Sequence, residues 1–169
     1  MKSIFLILLF ADSFLFARID CEYMNQVQQR VIKKLCVQYN CSCFGIGGAV
    51  FDDIDRIFLS FQFDKTYPPM QIRNMIVEMS SIFLNEINTD KRIRPYLRRY
   101  PATVFSIRLG LIFPNIEGEI SNASISAGRV YAERHGKEQY VYIPVINELY
   151  EETFRKVREE TDGLGSFRN

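Results

Sequence analysis

Residues 91–113 read KRIRPYLRRYPATVFSIRLGLIF, and the two halves of this stretch carry different information. From Thr103 to Phe113 the residues alternate. Phe105, Ile107, Leu109, Leu111 and Phe113 fall on one side of an extended chain, and Val104, Ser106, Arg108 and Gly110 on the other. That period of two predicts a strand with one buried face. Arg108 in mid-strand predicts that the second face is wet or meets an acidic partner. The first half sets Lys91, Arg92, Arg94, Arg98 and Arg99 beside Tyr96 and Tyr100. Pro95 and Pro101 steer Arg94 and Tyr100 away from helical geometry, leaving room for one turn over 96–99. The reading is a core strand entered through a basic, aromatic connection of restricted backbone.

Upstream, Pro68 and Pro69 open a helix, since proline is tolerated in a first turn. Ile72, Ile76, Met79, Phe83 and Ile87 form its apolar stripe, and Met75, Ile82 and Leu84 widen it, so it is buried on much of its circumference. Asn88, Thr89 and Asp90 end it. Before it, GIGGAVF, DDID and RIFLSFQF read as strand, turn and strand, with Ile57, Leu59, Phe61 and Phe63 on one face. A strand follows the GIGG run, so it is not a dinucleotide-binding turn. Asp52, Asp53 and Asp55 sit too close together for a calcium loop and read as turn residues. Residues 18–39 predict a first helix with Met24, Val27, Val31 and Leu35 as its stripe and Asn40 as its stop.

Downstream, residues 114–118 predict a turn and Ile120–Arg134 one strand rich in small residues. Residues 135–138 (HGKE) predict a hairpin turn, and Tyr140–Ile143 its returning strand. From Pro144, Ile146, Leu149, Tyr150, Thr153, Phe154 and Val157 follow a helical period, with acids early, bases late and Gly163 as the stop.

The first seventeen residues, MKSIFLILLFADSFLFA, have a charged start, an apolar middle and a small final residue, the layout of a secretory signal cleaved near Ala17. The domain is then 18–169. Export would place Cys21, Cys36, Cys41 and Cys43 where disulfides persist. Cys21 and Cys36 are about 22 Å apart along one helix, too far to bridge. Cys36 with Cys41 or Cys43 is the candidate disulfide, and free buried thiols are the alternative. The C-x4-C-x-C spacing with a lone distant His135 is a poor match to zinc sites, so no metal or other cofactor is expected. Asn40-Cys41-Ser42 and Asn122-Ala123-Ser124 fit the glycosylation pattern, which matters only in a eukaryote.

At Phe83 to Pro101, FLNEINTDKRIRPYLRRYP, the chain resembles uncharacterised small exported proteins of chlamydia-like intracellular bacteria. The resemblance lies in the acidic helix end followed by IRPYLRRYP, with a glycine-bearing hairpin before and a Glu-rich helix after. It implies export from an intracellular bacterium and no particular activity.

With 169 residues the chain forms one domain with a sizeable core. The expected fold is α+β in two layers: a largely antiparallel sheet of about five strands against three helices, in the order αββαβββα. A net charge of +1 argues against nucleic acid. The expected function is a non-enzymatic binding module, its site Lys91, Arg92, Arg94, Tyr96, Arg98, Arg99 and Tyr100. Its partner would be an acidic protein, a phosphorylated ligand or an envelope component. The alternative is a small hydrolase using paired carboxylates, or a thiol enzyme pairing Cys41 or Cys43 with His135.

Overall fold

The computed structural model describes residues 22–136 and 142–165. The expected leader, residues 18–21 (Cys21 among them), the second half of the 135–138 turn and the first two residues of its expected returning strand lie outside them. Helix α1 runs through 22–39, followed by β1 (Ser42–Val50), β2 (Ile54–Gln62), α2 (Pro69–Thr89), β3 (Ile107–Ile112), β4 (Ile120–Ser126), β5 (Arg129–His135), β6 (Tyr142–Leu149) and α3 (Tyr150–Gly165). The α+β class holds, but the sheet has six strands in sequential order and is mixed. Four pairings are antiparallel; β2 and β3 run parallel, because α2 carries the chain back across the sheet between them.

The hydrophobic periods place the core. Met24, Val27, Val31 and Leu35 of α1 are buried, as are Ile72, Ile76, Met79, Phe83 and Ile87 of α2 and Ile57, Leu59 and Phe61 of β2. Asn40 takes a left-handed φ of 49° and ends α1. Gln28 on the buried side of α1 donates its amide to the Gly47 and Phe58 carbonyls, docking α1 over β1 and β2.

Three sequence expectations are corrected. Ile120–Arg134 is not one strand but two: Ala127 (φ 49°) and Gly128 (φ 75°) make the left-handed two-residue turn that joins β4 to β5. Ala at the first of these positions hides a turn that Asn would have announced. The last helix starts at Tyr150, not Pro144, and runs past Gly163. Residues 142–149 instead pair with β5, and Pro144 is accommodated at a register shift on an edge strand, where its missing N–H costs little. The third strand starts at Ile107. Thr103 to Ser106 is a turn closed by the Ser106 N–H donating to the Thr103 carbonyl (2.8 Å), which buries Val104 and leaves Phe105 51% exposed.

The three helices cover one face of the sheet. On the other, aligned residues of successive strands form the row Gly45, Ser60, Gly110, Ser124, Tyr131 and Asn147. Arg108 is exposed there, 5.9 Å from the Phe58 ring, so this face is wet as Arg108 implied.

Candidate functional site

The basic connection leaves α2 at Asp90 and is held at several points. Ile93 is fully buried. Arg94–Tyr96 forms a 3-10 turn, two residues earlier than expected, closed by the Tyr96 N–H donating to the Ile93 carbonyl (3.0 Å). Leu97 bridges to Ile54, and the Arg98 N–H donates to the Ile54 carbonyl (3.1 Å). At the far end the Asn88 side chain clamps Ala102, accepting from its N–H (2.7 Å) and donating to its carbonyl (3.0 Å). The Tyr100–Pro101 peptide is cis. A backbone tied to β2 and α2 in this way holds its side chains in place before any ligand arrives.

The seven expected residues are brought together but do different work. Arg92 is spent internally: it holds the Asp90 carboxylate (2.8 Å) and the Gln26 amide oxygen (2.8 Å) and lies over the Tyr23 ring. Those hydrogen bonds from Arg92, with a further one from Arg30, hold the Asp90 carboxyl below its ordinary range against the opposing effect of burial. Tyr96 packs beside Tyr23, ring centroids 5.9 Å apart. Arg98 makes a long contact to Asp55 (3.4 Å). Lys91, Arg94 and Arg99 are exposed and have no carboxylate partner among the described residues. Arg94 lies 4.0 Å over the half-exposed Tyr100 ring, a cation–π contact that restrains its guanidinium.

Helix α1 adds cations from outside its apolar stripe. α1 and α2 are antiparallel neighbours: Tyr39 donates to Glu78 (2.7 Å), Arg30 binds Glu86 (3.1 Å) and Asp90 (2.7 Å), and Lys34 binds Glu86. Lys34, then Arg30, lower the Glu86 carboxyl despite its burial. An open groove of about 970 Å³ runs along the outside of this helix pair, and a smaller one of about 390 Å³, sharing Arg30 and Glu86, continues it to Lys91 and Arg92. The signal in the sequence was the spacing of Arg30, Lys33, Lys34 and Val37, which share one helical face.

Among the described residues the cysteines form no bridge: Cys36, Cys41 and Cys43 are free thiols, half-buried at the junction of α1 and β1. Burial, with Cys36 close by, pushes Cys41 up to about 12, and burial also raises Cys43. Such thiols stay protonated at neutral pH and are poor nucleophiles. β5, which ends at His135, lies four strands from β1, roughly 19 Å at the usual strand spacing. Among the described residues no three His, Cys, Asp or Glu side chains are placed to share a metal ion, and no helix is long and apolar enough to cross a membrane. Comparison with protein-family models, with curated proteins and with solved structures finds no match to this chain.

Proposed function

We propose that this chain is an exported, non-enzymatic interaction protein whose working surface is the loop from Lys91 to Tyr100, and that its ligand carries carboxylate or phosphate groups. One observation carries the reading. Arg94 stands over Tyr100 at 4.0 Å on a loop anchored by Ile93 and Asn88, with no carboxylate to neutralise it among the described residues. Arginine presents a rigid fork of donors that matches carboxylate and phosphate, and a stacked arginine loses less freedom on binding. Lys91 and Arg99 extend the field on the same loop, and Arg98 can exchange its long contact to Asp55 for a ligand.

Replacing Arg94, Arg98 and Arg99 together by Gln is expected to reduce retention on bacterial envelope or host-cell extract at least ~10-fold at about 50 mM salt. The thermal transition should stay in place. Retention that survives in a folded triple variant ends the proposal.

Export follows from the first seventeen residues, and the mature chain is expected to begin at Arg18. Mass spectrometry of the N-terminus in fractionated cells checks this, and a cell-retained chain still starting at Met1 contradicts it. Export would also place Cys36, Cys41 and Cys43 where oxidation to a disulfide is favoured. Cys36 and Cys41 are already joined through the Cys41 N–H and the Cys36 carbonyl (3.3 Å).

A further inference from the structure

We infer that the groove between α1 and α2 receives an acidic amphipathic helix of the partner protein, with the basic loop closing one end of the same site. The inference rests on the binding reading above and names the partner's chemistry. Three observations carry it.

The groove is apolar where a ligand would rest. Val37 on α1 is 82% exposed and faces the half-buried Ile82 across the helix pair. Cations border this floor: Arg30, Lys33 and Lys34 on α1, then Lys91 and Arg92 where the groove runs on to the loop. The two carboxylates beside them do not cancel this charge outward. The Glu86 and Asp90 side chains are only 11% and 6% exposed, Glu86 held by Arg30 and Lys34 and Asp90 by Arg30 and Arg92. Three cations thus share two carboxylates, and Lys33 and Lys91, both exposed, have no carboxylate partner among the described residues, so this edge keeps a positive excess. Although the whole chain carries only +1, this edge is locally basic.

An open channel between two packed helices is the shape into which a third helix sets its ridge, at about 8–10 Å between axes. Residues 30 to 38 span roughly 12 Å of α1, enough for at least two turns of a partner helix. Apolar side chains at i, i+3/i+4 and i+7 of that helix would cover Val37 and Ile82, and its flanking Glu or Asp would meet Lys33, Lys34 and Lys91. Two apolar side chains are too few to seat the face in a bilayer, so an acidic helix is favoured over an anionic membrane.

The test uses the full mature chain and three probes: a fluorescent peptide of about 18 residues with Leu on one helical face and Glu on the others, a scrambled peptide of the same composition, and phosphatidylglycerol vesicles. The patterned peptide is expected to bind at least ~10-fold more tightly than the scrambled one by anisotropy. Lys33→Glu and Val37→Asp should each weaken it at least ~10-fold. Both positions are exposed, and an unchanged circular dichroism melt confirms the fold of each variant. Equal binding of the scrambled peptide, undiminished binding by both folded variants, or binding to the vesicles alone overturns the inference. Loss of extract retention in the Arg94/Arg98/Arg99 variant, with Lys33→Glu and Val37→Asp retained normally, would keep the loop as a site and remove the helix from it. Unchanged retention in the loop variant would instead sink the underlying reading.

Discussion

A Glu148→Leu variant is expected to lose about 3 kcal/mol of stability at pH 7, chiefly because it leaves the largely buried Arg73 without its anion. Glu148 is a buried residue at the end of β6, where the sheet hands over to α3. It accepts from Arg73 Nε of α2 (2.8 Å) and from Thr153 Oγ1 of α3 (2.8 Å), and it is ion-paired with Lys156. One carboxylate thus ties a strand to two helices. Urea melts should show a lower midpoint with an unchanged slope, since the surface exposed on unfolding stays the same. A loss below about 1 kcal/mol would mean that the site repacks as an apolar contact, as some buried ion pairs do.

The same group sets a pH signature. Burial alone would raise the Glu148 carboxyl, but hydrogen bonds from Arg73, Lys156 and Thr153 overcome it and hold the group at about 2. The folded pKa lies below the unfolded one. The contribution is therefore complete above the ordinary glutamate range and is lost as pH falls from about 4.5 toward 2, amounting to about 2–3 kcal/mol. Wild type and Glu148→Leu should differ most near neutrality and converge at low pH. Glu86 and Asp90 are shifted the same way by Lys34, Arg30 and Arg92, so the variant keeps a smaller acid dependence of its own.

The second large effect is expected at Ile93, where substitution by Ala should cost about 2–5 kcal/mol through the cavity it leaves. Ile93 is the fully buried residue inside the basic connection, and its carbonyl closes the Arg94–Tyr96 turn. Its loss should act twice: on the melting temperature, and on ligand retention measured well below that temperature, because Arg94 is no longer held over Tyr100. A variant that melts early yet binds as wild type when folded would show that the loop does not need this anchor. It would leave Asn88, which grips Ala102 from the end of α2, as the part that positions the site.

The fold was legible wherever one element carries a whole hydrophobic period. The stripes of α1 and α2 and the alternation of β2 are buried as read, because each buries one face against a single neighbouring layer. The reading failed where two periods compete. Ile146, Leu149, Thr153 and Phe154 suit a helix by spacing, yet Ile146 belongs to a strand and is buried, while Leu149 and Phe154 are 46% and 41% exposed. The seven-residue pairing with β5 outweighs the local period. The Ala127–Gly128 turn was missed for a related reason: its strongest local cue is a single glycine, and cross-strand pairing supplies the rest.

For the candidate site, sequence by itself determined the concentration of five cations and two tyrosines between Lys91 and Tyr100, the buried stripe that precedes them and the core strand that follows. Tertiary structure decided which of those cations remain available. Arg92 is neutralised by Asp90, its neighbour two positions back, while Arg94 is freed by stacking on Tyr100, six positions on. Tertiary structure also brought Arg30, Lys33 and Lys34 to the same edge, from a helix some sixty residues earlier. Charge is a property of residues, but whether a charge is spent depends on the carboxylates that lie within a few ångströms, and most of those are set by packing between elements rather than by order along the chain.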